Sequence, residues 1–170
     1  MENMFLKNPH KIMNLKKKLE QALGVKITED NEGLHVEGEE MNEYVASIIL
    51  DAIDLGFDPR VALVLRDPDY MIEKMNIKNY VRTSRVNTVR GRVIGREGKA
   101  KRQLAHLTDC EIVVSDSTIA IIGLTEDVDI ASKAIRSLIK GSPHISVFQY
   151  IKKFRKIKKE KELLGIQDKL

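Results

Sequence analysis

The feature that most constrains the fold is an internal repeat without gaps. Residues 16–54 align with residues 101–139 at a constant offset of 85 positions. Apolar residues fall on apolar residues, Gly38 falls on Gly123, and Ala46-Ser47 falls on Ala131-Ser132. A shared pattern of secondary structure could produce the apolar matches alone. The glycine and Ala-Ser matches in the same register favour duplication of one structural unit.

The two copies share one order of predicted elements, which is a helix, a β-hairpin and a longer amphipathic helix. The predicted elements lie at residues 15–23, 25–28 and 34–37 in the first copy, and at 99–107, 110–114, 118–122 and 127–140 in the second. The longer helix of the second copy ends at Gly141 and has one apolar face, as packing on a three-stranded sheet requires. That face consists of Val128, Ala131, Ala134, Ile135, Leu138 and Ile139.

Two proline-containing pairs mark helix starts outside the repeat. Asp58-Pro59 begins a short linker helix that ends near Leu65, and Ser142-Pro143 precedes a basic C-terminal helix. The apolar residues of the C-terminal helix recur every three or four positions, so we expect them to dock on the core rather than on a membrane surface. They are Val147, Tyr150, Ile151, Phe154 and Ile157.

Charge is distributed unequally along the chain. Residues 1–80 contain 10 lysines and arginines against 15 acidic residues, a net charge of −5, whereas residues 81–170 contain 19 against 10, a net charge of +9. The Lys/Glu-rich composition of thermophilic proteins is one explanation. The other is that the second half faces a polyanion, and the motif in that half favours this explanation.

The motif is a glycine pair, Gly95-Arg96-Glu97-Gly98, between two predicted helices. Such pairs are common by chance, but this one precedes a Lys/Arg-rich helix start and stands one helix before the predicted hairpin of the second copy. Glycines let the backbone approach a sugar-phosphate chain, and a helix N-terminus directs N–H groups and partial positive charge at phosphate. Arg96, Lys99 and Arg102 can add salt-sensitive contacts.

An apolar strip beside the loop should hold about four unstacked bases, while backbone groups of the hairpin edge read them. We expect this strip to consist of Val93, Ile94, Leu104, Ile112 and Val114. No aromatic residue lies in residues 88–102, so stacking on an aromatic platform is not expected there. The predicted RNA-binding residues are Arg92, Val93, Ile94, Gly95, Arg96, Glu97, Gly98, Lys99, Lys101, Arg102, Ile112 and Val114.

Residues 85–141 resemble a type I KH domain, and residues 15–158 resemble the archaeal tandem-KH ribosome-assembly proteins of the partner-of-Nob-one (Dim-two) family. The closer resemblance is carried by Gly56-Phe-Asp-Pro59, Gly91-Arg-Val-Ile-Gly-Arg-Glu-Gly-Lys99, Ile119-Ala-Ile-Ile-Gly123 and Gly141-Ser-Pro-His144. It implies an α+β fold of two tandem type I KH (βααββα) units plus a C-terminal helix. It also implies binding near the 3′ end of small-subunit ribosomal RNA and contact with the PIN-domain nuclease that trims it.

The first copy departs from the KH pattern. At the offset of 85, Gly95 and Gly98 correspond to His10 and Met13, and only nine residues precede His10, too few for a full first strand and helix. We therefore interpret this copy as a degenerate KH unit and assign it no RNA contact. The predicted domains are residues 1–80, the degenerate unit with its linker helix, and residues 81–170, the KH domain with its basic helix.

The sequence gives little support for a nucleotide-binding site, a metal site or a membrane span. A P-loop would need Gly at position 93 and Ser or Thr at position 100, where the chain has Val93 and Ala100. The four histidines lack ligand spacing, and the single Cys110 lies in an apolar run and reads as a small core residue. No apolar stretch reaches the ~20 residues of a membrane span, and no signal peptide is evident. We expect a cytoplasmic protein that is not an enzyme and uses no cofactor, metal ion or membrane.

Two functions remain open after these steps. The chain binds single-stranded RNA during ribosome assembly, or it is a protein–protein scaffold of KH fold that recruits an rRNA-processing nuclease without gripping RNA itself. A ribonuclease or modifying enzyme is disfavoured, because the sequence clusters no acid/base or metal-binding set. The intact glycine pair and the net charge of +9 in residues 81–170 favour RNA binding.

Overall fold

Backbone hydrogen bonds arrange the chain around two three-stranded sheets. The computed structural model describes residues 2–31 and 33–165. The chain divides into two units between Tyr70 and Met71. Each unit contains both helices and strands, which confirms the predicted α+β class.

The first unit places helices around an antiparallel sheet of order β1–β3–β2. Its elements are β1 (Glu2–Met4), α1 (Pro9–Met13), α2 (Lys16–Leu23), β2 (Lys26–Asp30), β3 (Gly33–Glu37), α3 (Glu40–Leu55) and α4 (Pro59–Ala62), with a 3₁₀ turn at Leu63–Arg66. The Asp58 carboxylate caps α4 by accepting from the backbone N–H of Arg60 at 2.8 Å. The predicted linker helix is therefore confirmed, as a short α-helix that continues into a 3₁₀ turn.

A first strand and a first helix are present in this unit in shortened form, in line with the expectation that the N-terminal segment is too short for full-length elements. Both are brief: β1 has three residues and α1 has five. The Asp54 carboxylate of α3 accepts hydrogen bonds from the backbone N–H groups of Lys7 (3.0 Å) and Asn8 (2.7 Å), which ties the connection between β1 and α1 to the unit. Pro9 in the first turn then starts the helix at once.

The second unit repeats this element order and adds a long terminal helix. Its elements are β4 (Tyr70–Asn76), α5 (Val86–Ile94), α6 (Lys99–Thr108), β5 (Glu111–Ser115), β6 (Thr118–Leu124), α7 (Thr125–Lys140) and α8 (His144–Leu163). The sheet has the order β4–β6–β5, and β5 pairs antiparallel with β6. Short 3₁₀ turns at Ile77–Asn79 and Thr83–Arg85 connect β4 to α5.

Strand β4 places the unit boundary earlier than the predicted division at residues 80 and 81. It hydrogen-bonds to β6, and Met75 is buried in the core of the second unit. The strand was missed because Met75 is the only residue of β4 that is fully buried, so its hydrophobic alternation is weak. The Asp67-Pro68-Asp69 break, which precedes β4, marks the boundary better than the predicted position does.

The predicted apolar face of α7 is confirmed. Its side chains lie in the core of the second unit together with those of α5, α6 and the sheet. Cys110 belongs to the same core, and burial raises the pKa of its thiol to about 12. The thiol therefore stays protonated and unreactive, as expected for a small core residue.

Helix α8 docks through a narrower face than its apolar spacing predicts. Val147 and Ile151 are buried, whereas Tyr150, Phe154 and Ile157 remain 38%, 41% and 42% exposed. The expectation that all five residues dock on the core was therefore wrong for these three. Phe148, which is partly buried, also packs against the core, and hydrogen bonds from charged side chains supplement these apolar contacts.

Two cations of α8 donate those hydrogen bonds. The Arg155 guanidinium donates to the backbone carbonyls of His106 (3.1 Å) and Leu107 (3.0 Å), at the C-terminal end of α6 where carbonyls lack helical partners. The Lys158 ammonium donates to the carboxylate of Asp127 (2.9 Å) in the first turn of α7. The basic residues of this helix are thus divided between structural contacts and a solvent-exposed set.

Candidate nucleic-acid interface

Gly95 makes the turn between α5 and α6 in a conformation that other residues avoid. Its φ is +75° and its ψ 174°. A Cβ at this position would lie 2.6 Å from the Cβ and 2.8 Å from the backbone nitrogen of Ala100. Glycine is therefore required here both by the dihedral angles and by the close approach of the next helix.

Gly98 completes the turn with a φ of +74° and serves as the N-cap of α6. Since glycine has no side chain, the first turn of α6 has no side-chain cap, and its N–H groups and partial positive charge are directed toward the loop. Glu97 between them also has a positive φ of 53°, which is uncommon for a residue with a side chain. The loop is therefore a left-handed turn at an uncapped helix N-terminus, which suits an anion.

Cationic side chains surround this turn. Arg96, Lys99 and Arg102 are exposed, and Lys101 is partly exposed. Glu97 is also exposed and is the acidic residue within the turn. The structure therefore leaves the predicted basic residues at and after the turn accessible to solvent, as phosphate binding requires.

Arg92, one of the predicted RNA contacts, also makes structural contacts. Its guanidinium donates to the backbone carbonyls of Gly141 (3.1 Å) and Ser142 (2.6 Å), in the connection between α7 and α8. The Nε2 of His144 lies 2.9 Å from the backbone carbonyl of Arg92, to which it donates. Both bonds to these carbonyls come from the Nη2 atom and tie the helix before Gly95 to the start of α8, so the RNA contact of Arg92 stays a prediction.

The predicted apolar strip is mostly core. Val93 and Leu104 are 0% exposed and Ile112 is 3% exposed, so they offer a base no surface. Ile94 and Val114 are partly exposed and remain candidates for base contact. The sequence could not separate the two groups, since a buried residue and a groove residue share the same apolar chemistry.

The second wall of the candidate groove is strand β5, at the edge of the sheet. Its outer backbone groups face away from β6 and can hydrogen-bond to base edges. The Arg90 guanidinium donates to the backbone carbonyl of Asp116 at 3.4 Å and links α5 to the turn between β5 and β6. Sequence reasoning assigned no contact to Arg90 or to His144, because both act on backbone carbonyls distant in sequence.

The connection between α1 and α2 of the first unit, at Asn14 and Leu15, does not form a comparable turn. His10 and Met13, which the repeat aligns with the two glycines, lie inside α1. Asn14, which follows α1, has right-handed dihedral angles, with φ −62° and ψ −24°. The connection between α1 and α2 therefore lacks the glycine geometry that permits close backbone approach.

The described part of the chain contains no group of three or more His, Cys, Asp or Glu side chains placed to hold a metal ion. Among residues 2–31 and 33–165, no helix combines the length and apolar composition that crossing a membrane requires.

Comparison with known proteins identifies the second unit independently. The family model of the PNO1 KH domain, described as a eukaryotic type KH domain (KH-domain type I), matches residues 71–156. A KH domain-containing protein of Methanocaldococcus jannaschii is 34% identical over 154 residues, which cover 86% of this chain and 68% of that protein. The chain spans about half the length of the Aspergillus relatives named as pre-rRNA-processing proteins, 55% of one and 57% of the other.

Solved structures agree with these matches. Dim2p from Pyrococcus horikoshii OT3 is 30% identical with a TM-score of 0.77, and the match covers 89% of this chain and 98% of that chain. A chain from the a/eIF2α–aDim2p–rRNA complex of the same organism is 29% identical with a TM-score of 0.81, covering 91% of this chain and 93% of that chain.

The strand–helix–glycine turn–helix arrangement of the second unit, closed by a hairpin and a long helix, is that of a type I KH-domain protein. Within that class, the matches to the family model and to the Methanocaldococcus relative cover enough of both chains to decide the family. The chain belongs to the PNO1 (Dim2) family of KH-domain proteins.

Proposed function

We propose that this chain is a non-catalytic RNA-binding protein of small-subunit ribosome assembly, which grips single-stranded RNA at the glycine turn of its second unit. One observation carries the proposal. Gly95 and Gly98 hold the backbone open at an uncapped helix N-terminus, and the exposed side chains of Arg96, Lys99 and Arg102 surround it. Backbone N–H groups and mobile cations at one point are what a sugar-phosphate chain requires.

The groove divides into a phosphate side and a base side. The glycine turn, Lys99 and Arg102 contact phosphates, while Ile94, Val114 and the outer edge of β5 face about four unstacked bases. This differs from an aromatic stacking platform, since the groove side chains are aliphatic. Affinity should therefore depend strongly on salt, and base preference should depend on backbone hydrogen bonds at β5.

The proposed ligand is the single-stranded 3′ region of small-subunit ribosomal RNA. The relatives from Aspergillus are named as pre-rRNA-processing proteins, and a similar chain was crystallised in a complex named as containing rRNA. The family resemblance adds a PIN-domain nuclease as the protein partner, and we propose the cytoplasm as the location. The chain would then position the RNA, and the nuclease would supply the chemistry.

We further propose that the first unit is a degenerate KH copy that arose by duplication. It has the same order of strands and helices as the second unit up to α7, but it lacks the glycine turn. Up to Tyr70 the chain carries 8 lysines and arginines against 14 acidic residues, a net charge of −6, whereas from Met71 on it carries 21 against 11, a net charge of +10. The acidic unit should be repelled by RNA and left available to a protein.

The second candidate function is a scaffold of KH fold that recruits the nuclease without binding RNA. The observation that favours it is the first unit, which keeps the fold and lacks the turn. The functions are separated by titrating the full chain with a 3′-terminal rRNA fragment and with an unrelated single strand of equal length, at several salt concentrations.

Preference for the rRNA fragment, with affinity that falls steeply as salt rises, supports the proposal. Equal affinity for the two strands would reduce the chain to a general single-strand binder. Failure to bind either strand would favour the scaffold.

A further inference from the structure

The unburied face of α8 carries two aromatic rings side by side. Tyr150 and Phe154 are about two-fifths exposed, and their ring centroids are 5.4 Å apart with planes tilted by 50°. Tyr150 also lines a shallow depression between α8 and α7, together with Lys133, Arg136, Ser137 and Lys140. We call Lys133, Lys140, Tyr150 and Phe154 the α7–α8 platform.

The cations at the platform differ in how firmly they are held. Arg136 is committed to Glu73 of β4, with its Nη2 atom 2.5 Å from the carboxylate oxygen. Lys133 pairs with Asp129 at 2.6 Å, but both side chains are more than half exposed, and exposed pairs exchange readily with other anions. The hydrogen bond to Asp129 raises the pKa of Lys133, so its ammonium group stays charged. Lys140 is exposed at the end of α7.

The platform begins close to the glycine turn. Gly141, the residue after Lys140, accepts a hydrogen bond from Arg92, and Arg92 lies one helical turn before Gly95. A single arginine side chain therefore spans the gap between the helix that leads into the turn and the residue beside Lys140. A strand that leaves the turn needs only a few more nucleotides to reach the platform.

We propose that RNA held at the glycine turn continues onto the α7–α8 platform, where one base stacks on Tyr150 and its phosphates contact Lys140 and Lys133. The inference rests on the proposed function and adds a second site outside the KH groove. Every base has a π face, so stacking on Tyr150 is tolerant of sequence and serves to hold the strand rather than to read it.

The composition of the platform favours RNA over a protein partner. A protein interface of this size would need a contiguous apolar core, whereas here each aromatic residue is only about two-fifths exposed and ammonium groups stand beside Tyr150. Aromatic faces next to mobile cations are the usual composition of a single-strand binding surface. The exposed lysines of α8, such as Lys153, extend the same charge.

The test compares RNAs of two lengths on the full chain. A strand of about four nucleotides fills the groove alone, and one of about ten nucleotides reaches the platform. Tyr150→Ala should weaken binding of the longer strand by at least about fivefold and leave the affinity for the shorter strand within about twofold of wild type. Tyr150→Phe should behave as wild type. Leu163→Ala is the matched control, since Leu163 is an exposed apolar residue of the same helix away from the platform.

Unchanged affinity of Tyr150→Ala for both strands would overturn the inference and leave the proposed function standing. An equal loss of affinity for both strands would also overturn the inference, because the platform would not be a separate site. If wild type binds neither strand, the proposed function itself fails. The chain contains no tryptophan, so Tyr150→Trp gives a second readout that does not depend on the alanine variant. Its fluorescence should be quenched by the longer strand alone, and quenching by neither would also contradict the proposal.

Discussion

Changing Arg96 and Glu97 together to Asp, with both glycines kept, should abolish the grip on RNA and leave the fold intact. Both side chains are exposed and outside the core of the second unit. Asp adopts the left-handed conformation of position 97, with its φ of 53°, more readily than Glu does. We therefore expect the free energy of unfolding to change by no more than about 0.5 kcal/mol, the usual range for surface substitutions.

The variant should bind RNA more weakly because the charge at position 96 is reversed. The net charge of the turn falls by two units, because Arg96 becomes acidic and position 97 stays acidic. A hydrogen bond to a charged group contributes about 1.5–3 kcal/mol, so removing one phosphate contact weakens binding by tenfold or more, at about 1.4 kcal/mol per factor of ten. The slope of log affinity against log salt should become shallower by about 0.7 for each phosphate of a single strand that the protein no longer neutralises.

The assay is fluorescence anisotropy with a labelled 3′-terminal rRNA fragment at several salt concentrations, alongside thermal unfolding of each variant. Arg66→Asp is the matched control, since Arg66 is an exposed arginine of the first unit and its reversal changes the net charge by the same two units. The control should bind within about twofold of wild type. If the Asp-Asp variant kept binding within about twofold at physiological salt, the groove would lie elsewhere and the assignment of the turn as the phosphate site would be refuted.

Three further predictions test the surrounding structure. Gly95→Ala should cost about 1–3 kcal/mol of stability in urea unfolding, because the new Cβ would lie 2.6 Å from the Cβ of Ala100 at a φ of +75°, and unchanged stability would show that the turn relaxes freely. Lys11→Ala should leave RNA affinity nearly unchanged, because the Nζ of Lys11 is directed at the backbone carbonyls of Ile53 (3.5 Å) and Phe57 (3.4 Å) and no glycine turn is near. A loss of affinity as large as that of Arg96→Ala would contradict the proposal that only the second unit binds RNA. Reversing the charges of Lys152, Lys153 and Lys156 should weaken the binding of single strands of every sequence alike and flatten the salt dependence, since lysines act as point charges on phosphate. A changed base preference in that triple variant would mean instead that α8 reads bases.

The sequence alone determined the features that depend on local pattern. The repeat and the alternation of apolar residues predicted the helix–hairpin–helix order and the buried face of α7, because period and burial are linked within one element. The Gly95-Arg96-Glu97-Gly98 motif predicted the turn, since positive φ angles at close approach admit few residues other than glycine. The family resemblance was carried by the same stretches.

The tertiary structure decided what depends on partners distant in the chain. From the sequence, Arg92 is one more basic residue of the loop. In the structure, its guanidinium donates to the backbone carbonyls of Gly141 and Ser142. From the sequence, the residues of β4 resemble a linker, whereas in the structure they form a strand that hydrogen-bonds to β6. Tyr150 and Val147 have the same apolar spacing on α8, yet α6 and α7 cover only one side of that helix, so Val147 is buried and Tyr150 is left exposed. Local periodicity places residues on a face, but only the packing of other elements determines whether that face is buried.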